Sequence, residues 1–199
     1  MPDPQRHVTL APLCAAAAAG RRDAIEPAAR GAISAGCTAE EIREALLTLA
    51  PFCGFPRALD ALAAAGPVIG ASPERIDETD AASTIARGRA FFDCVYGRDA
   101  ARVRSNLETV DAEVAAWIER DAYGNVLSRP GISASLRERI AVVLLAAQGL
   151  RNQLSGHLRG ALNCGASAAE VAEFLAAAAP FIDPAESTFA RETLRRVVG

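Results

Sequence analysis

Lysine is missing from this 199-residue chain, and all 21 of its Lys-or-Arg positions are arginine. With no primary amine on any side chain, Schiff-base catalysis, pyridoxal phosphate attachment and the lysine of a phosphate-binding loop are excluded. Aromatic residues are scarce at 5%, with one tryptophan and two tyrosines. Five cysteines (Cys14, Cys37, Cys53, Cys94, Cys164) include no C-x-x-C pair, and the two histidines stand far apart. That spacing offers no metal-ligand set, so no bound metal is expected. Cysteines in apolar surroundings act as small hydrophobes, and the expected compartment is a reducing cytoplasm. A net charge of −3 gives no basic surface for nucleic acid. No apolar run approaches a membrane-spanning length, so no membrane partner is expected either. VTLAPLCAAAAAG is interrupted by Pro12 and lacks a basic leader, and it reads as folded structure rather than as a secretory signal.

What the chain does have is alanine, the best intrinsic helix former, and β-branched residues that never alternate in runs. The expected fold class is all-α. The chain also repeats itself. ARGAISAGCTAEEIREALLTLAPF (29–52) matches LRGALNCGASAAEVAEFLAAAAPF (158–181) without a gap at a constant offset of 129 residues. Arg30-Gly31-Ala32 falls on Arg159-Gly160-Ala161, Gly36 on Gly165, Glu41 on Glu170, and Ala50-Pro51-Phe52 on Ala179-Pro180-Phe181.

Each copy reads as four helices, over 8–19, 23–35, 39–50 and 55–65 in the first and 136–149, 152–164, 168–179 and 184–197 in the second. Gly36 and Gly165 end the second helix of each copy, and Thr38-x-x-Glu41 and Ser167-x-x-Glu170 have the form of a capping box opening the third. Pro51 and Pro180 are expected to stop or kink that third helix. The organisation is then a first copy at 1–66, a helical connector at 67–132 and a second copy at 133–199. In the connector, Val103, Leu107, Val110, Val114 and Trp117 form one stripe of an amphipathic helix. A helix is expected over 78–96, an ordered loop over 123–131, and core packing for the aromatic residues and Trp117.

RERIAVVLLAAQG, then HLRGALNCGAS and an E-V/I-x-E helix, resembles the carboxymuconolactone decarboxylase family. GFPRALDALAAA (54–65) is similar to that family's closing helix, and the connector's VYG and YGNVLSRPG are similar to tandem members. The resemblance implies an AhpD-like helical fold, a cofactor-free site for a small molecule, and a homo-oligomer, here a trimer or dimer. The alkylhydroperoxidase branch carries the motif E-x11-C-x2-C-x3-H. On the second copy its glutamate falls on Glu138 and its histidine on His157, but its two cysteines fall on Leu150 and Gln153. Neither residue forms a thiolate, so dithiol peroxide reduction at those positions is excluded. In the first copy the same register gives Thr9 and Ala28, and that copy is expected to be catalytically silent.

Glu138 and His157, nineteen residues apart across a short turn between helices, are the candidate acid–base pair. A carboxylate on one ring nitrogen fixes the tautomer and leaves the other for proton transfer. Each residue also has a plainer reading. Ser135-x-x-Glu138 is itself a capping-box pattern, and His157, beside Leu154, Leu158 and Ala161, could be a packed helix histidine. Arg139, Gln153 and Arg159 are the candidate substrate-binding residues. The leading expectation is a lyase or isomerase, decarboxylating or shifting a proton on a small anionic conjugated lactone or keto acid. Two alternatives stand beside it: a non-enzymatic tandem-repeat binding or assembly protein, and a peroxidase using a displaced thiol such as Cys164.

Overall fold

The computed structural model describes residues 4–71 and 81–199, and no strand occurs among them. The first copy runs from a short 3₁₀ turn (Pro4–Thr9) into α1 (Leu10–Ala18), α2 (Arg22–Ser34), α3 (Ala39–Leu47), α4 (Leu49–Cys53) and α5 (Phe55–Ile69). The connector holds α6 (Ala81–Tyr96), α7 (Ala100–Val110), α8 (Ala112–Trp117) and a π-wound segment (Ile118–Leu127). The second copy holds α9 (Ala134–Ala147), α10 (Arg151–Asn163), α11 (Ala168–Ala178) and α12 (Pro184–Val198). The opening of the helix expected from 78 lies partly outside the described residues; its remainder is α6.

Local chemistry accounts for the boundaries. Gly36 and Gly165 both end a helix at φ +95°, a conformation that any Cβ would strain. Both capping boxes are made, Thr38 with Glu41 and Ser167 with Glu170. Pro51 has no N–H to give Leu47, so the third helix of the first copy breaks at Thr48 into α3 and α4. Pro180 does the same to the second copy, where α11 gives way to a 3₁₀ turn (Ala179–Phe181).

α1 and α9 occupy equivalent places in the two copies and pack on one another at the centre. α1 is LAPLCAAAA, apolar around its whole circumference, which is stable only in an interior. Its alanines are fully buried and let neighbouring helices approach closely. The other helices are amphipathic and wrap this pair: α2 buries Ile25, Ala29 and Ala32, and α11 buries Val171, Phe174, Leu175 and Ala178. Each large aliphatic side chain so buried contributes roughly 1.5–3 kcal/mol.

The connector departs from the sequence expectation twice. Its apolar stripe is not one helix, because Asp111 leaves helical geometry (φ −165°, ψ 118°) and caps α8 by accepting from the Val114 N–H. Val103 and Leu107 pack against a second small core of Phe92, Val95, Ala100, Tyr123 and Leu127. From the end of α7 onward the stripe turns outward: Val110, just before the break, is 85% exposed, and Trp117, expected in the core, is 48% exposed. The loop expected over 123–131 is helical as far as Leu127, wound as a π-helix. This segment crosses α6 backbone against backbone, since a Cβ on Gly88 would lie 2.6 Å from the Gly124 nitrogen.

Candidate active site: a buried histidine–glutamate pair

The site begins with α9, which is buried almost throughout although it carries Arg137, Glu138 and Arg139 in succession. Successive helix residues point about 100° apart, so the three charges reach three different neighbours. Arg137, wholly buried, donates to Glu44 Oε2 (3.0 Å), Thr48 Oγ1 (3.0 Å) and the Arg129 carbonyl (3.0 Å). Arg129 closes on the same Glu44 carboxylate, with its Nη2 2.9 Å from Oε1. A charge-paired cluster thus joins the first copy, the connector and α9. Burial pulls the Arg137 pKa down, and Glu44 opposes that shift.

Glu138 turns the other way. Its Oε2 lies 2.8 Å from His157 Nδ1 on α10, with Glu138 0% and His157 6% exposed. The cap of α9 is Ser133, which accepts from the Leu136 N–H, so Glu138 is not spent on the helix end. With a carboxylate at Nδ1, the proton there is donated to Glu138 and Nε2 is left for chemistry. Phe52 stands edge-on to the imidazole at 5.1 Å between ring centroids. Gly160, one turn beyond His157, completes the fit. A Cβ there would lie 2.5 Å from Glu138 Oε2 and 2.7 Å from Val95 Cγ1.

Comparison with known proteins identifies the family. The sequence model of the carboxymuconolactone decarboxylase family matches residues 4–66 and 112–195. The chain belongs to that family. It is 33% identical over 137 residues to Peroxisomal protein 2 of Schizosaccharomyces pombe, covering 66% of this chain and 63% of that protein. It is 32% identical over 74 residues to 4-carboxymuconolactone decarboxylase of Acinetobacter baylyi, covering 37% of this chain and 55% of that enzyme. The chain therefore spans less than two thirds of the length of either relative.

Within this member of the family, the wall facing His157 comes from the connector. Tyr96 on α6 lies 6.3 Å from the imidazole, ring centre to ring centre, and accepts a hydrogen bond from the Tyr123 hydroxyl at 3.2 Å. These are the chain's only tyrosines. Burial raises both phenol pKa values, Tyr123 most, and the nearby Glu138 carboxylate adds to the rise. Both therefore remain neutral hydrogen-bond donors. Sequence patterning assigned connector aromatics to core packing, and only the rarity of tyrosine marked them out.

The remaining candidates lie apart from the pair. Arg139 is buried on another side of α9, 3.6 Å from Glu170 and stacked over the Phe174 ring at 4.7 Å. Burial lowers its pKa, with Glu170 opposing. Gln153 and Arg159 are exposed on α10. In the first copy, Thr9 donates its hydroxyl to the Arg6 carbonyl and Ala28 stands where His157 does in the second. His7, the other histidine, meets Glu41 at 2.9 Å and pins the N-terminal 3₁₀ turn to α3. Among the described residues no three His, Cys, Asp or Glu side chains are grouped to hold a metal ion, and no helix is long and apolar enough to cross a membrane.

Proposed function

We propose that this chain is a cofactor-independent lyase or isomerase acting on a small anionic conjugated lactone or keto acid, with His157 as proton carrier and Glu138 as its partner. The observation that carries this reading is the buried 2.8 Å contact between His157 Nδ1 and Glu138 Oε2, which turns the other ring nitrogen, Nε2, away from the carboxylate. In decarboxylation of a vinylogous acid, the bond to the departing CO₂ breaks and its electron pair runs into the conjugated carbonyl as a dienolate. Proton delivery to the distal carbon uses the doubly protonated ring: His157 gives up its Nε2 proton, is left as the neutral Nδ1–H tautomer bonded to Glu138, and takes a replacement proton from solvent before the next turnover. The neutral hydroxyl pair of Tyr96 and Tyr123 is the donor available to the developing oxyanion. Arg139, Gln153 and Arg159, the carboxylate-binding candidates from the sequence, lie apart from the pair, and this reading gives them a part in binding only for a substrate long enough to reach from His157 to one of them.

The chain is further read as a first copy (1–66), connector (67–132) and second copy (133–199) that assemble as a dimer or trimer. The exposed side chains of Phe55, Leu59, Val110, Val114 and Trp117 supply an apolar surface for that assembly. Cysteine usage points to a reducing compartment such as the cytoplasm. A relative carries a peroxisomal name, and cell fractionation separates the two locations.

The decisive assay is CO₂ release from γ-carboxymuconolactone, and from a panel of related conjugated anions, without added cofactor. Wild type should turn over at least one of them, His157→Ala should be inactive, and Glu138→Gln should lose 10²-fold or more, roughly the contribution of general acid–base catalysis. Undiminished turnover by folded His157→Ala, or no turnover of any panel member, would reject the reading.

A further inference from the structure

The motif positions for a dithiol hold Leu150 and Gln153, yet two thiols meet elsewhere in the fold. Cys94 lies on α6, two residues before Tyr96, and Cys164 caps the C-terminus of α10. They are seventy residues apart in sequence, and their sulfurs are 2.6 Å apart. Both are free thiols and both are half-buried, within reach of a small oxidant. Neighbouring contacts fix the approach of the two helices: Asn163 Nδ2 donates to the Val95 carbonyl at 2.9 Å, and Val95 packs over Gly160.

We propose that Cys94 and Cys164 are a modification site: a reversible disulfide, formed by hydrogen peroxide or an organic hydroperoxide and reopened by a dithiol, that clamps the connector to the catalytic copy beside Glu138 and His157. A disulfide bond is about 2.05 Å long, so the two sulfurs stand within a fraction of an ångström of bonding distance. In the first step a thiolate sulfur attacks a peroxide oxygen. An S–O bond forms, the O–O bond breaks, and the alcohol or water leaves with the proton that the thiol gave up. The second sulfur then displaces hydroxide from the resulting sulfenic acid, which departs as water with the second thiol's proton. Two electrons pass from the sulfurs to the peroxide, and the dithiol later returns them by exchange.

The other three cysteines lack this geometry. Cys14 is fully buried and points at the Ala45 carbonyl. Cys37 donates to the Arg6 carbonyl, and Cys53 takes a hydrogen bond from Gln148. Burial raises the Cys164 pKa, and the hydrogen bond and charge of Cys94 and the charge of Glu138 raise it further. Cys164 therefore keeps its proton and serves as the resolving sulfur. That placement favours slow, stoichiometric oxidation over rapid peroxide turnover.

The test uses the full chain, reduced, freed of reductant, exposed to hydrogen peroxide and then alkylated with iodoacetamide. Because the chain has no lysine, trypsin cuts only after arginine, and Cys94 and Cys164 fall alone in peptides 90–98 and 160–191. These two peptides should appear joined, lighter by two hydrogens than their sum, and should separate on treatment with dithiothreitol. Oxidised wild type should melt at a higher temperature than reduced wild type, a gain that Cys94→Ser and Cys164→Ser each abolish. Recovery of both peptides separately alkylated from folded, peroxide-treated protein would overturn the proposal, as would an equal melting gain in Cys94→Ser.

Discussion

Gly31 and Gly160 occupy the same register in the two copies, yet alanine should have opposite effects at them. Nothing lies within 4 Å of the Cβ that Gly31→Ala would add, and the residue sits on an exposed face of α2. There the substitution should stabilise by roughly 0.5–1 kcal/mol, the helix-propensity difference between the two residues. At Gly160 the same carbon meets Glu138 Oε2 at 2.5 Å and Val95 Cγ1 at 2.7 Å. Overpacking costs about 1–3 kcal/mol. Driving the carboxylate from His157 removes a charge-assisted hydrogen bond of roughly 1.5–3 kcal/mol. Set against the propensity gain, Gly160→Ala should lose roughly 1.5–5.5 kcal/mol. Urea unfolding followed by circular dichroism, at one protein concentration, measures both variants against wild type. With only two histidines in the chain, the ¹⁵N shifts of the His157 ring report directly whether Nδ1 has lost its partner. Equal shifts of the two midpoints in the same direction, or an unchanged His157 ring spectrum in Gly160→Ala, would refute the reasoning.

Two further outcomes are expected. Glu44→Ala strands the buried Arg137 guanidinium and should destabilise by about 3–5 kcal/mol in the same urea assay, whereas Arg137→Met with Glu44→Leu should recover much of that loss. The raised phenol pKa values mean that the folded state holds its tyrosine protons more tightly than the unfolded chain does. Their contribution to stability is therefore complete below the ordinary value of 10.0 and is lost as pH rises through the higher folded values. Absorbance at 295 nm should show phenolate appearing together with alkaline unfolding, and tyrosine ionisation near pH 10 in still-folded protein would contradict the described packing of Tyr96 and Tyr123.

Local signals carried the helices of both copies. Thr38 and Ser167 each stand three residues before a glutamate, Gly36 and Gly165 end their helices, and these devices act within a single turn of chain. The approach of Glu138 to His157 was legible through the family motif, whose register picked out the two residues; helices joined by a short turn then bring positions nineteen apart together. Contacts made across the chain left no such trace. Cys94 reaches Cys164, Tyr96 reaches Tyr123, and Arg137 reaches Glu44 over 70, 27 and 93 residues. No periodicity or cap reports a pairing of that kind. The connector misled for a different reason. An apolar spacing that runs on through Asp111 is satisfied equally by one long helix and by two short ones, and the aspartate's preference for capping decided between them. Trp117 then followed α8 outward.

The three successive charges of α9 also determine how that helix can be set in its socket. Leucines, valines and alanines cover the rest of its circumference, and a purely greasy cylinder could turn in place with little penalty. Arg137, Glu138 and Arg139 act as the teeth of a key. Turned by one residue in one direction, the Glu138 carboxylate would face Glu44; turned by one in the other, it would face Glu170. Either setting opposes acid to acid. The flanking arginines thus define the single angle at which the carboxylate points to His157.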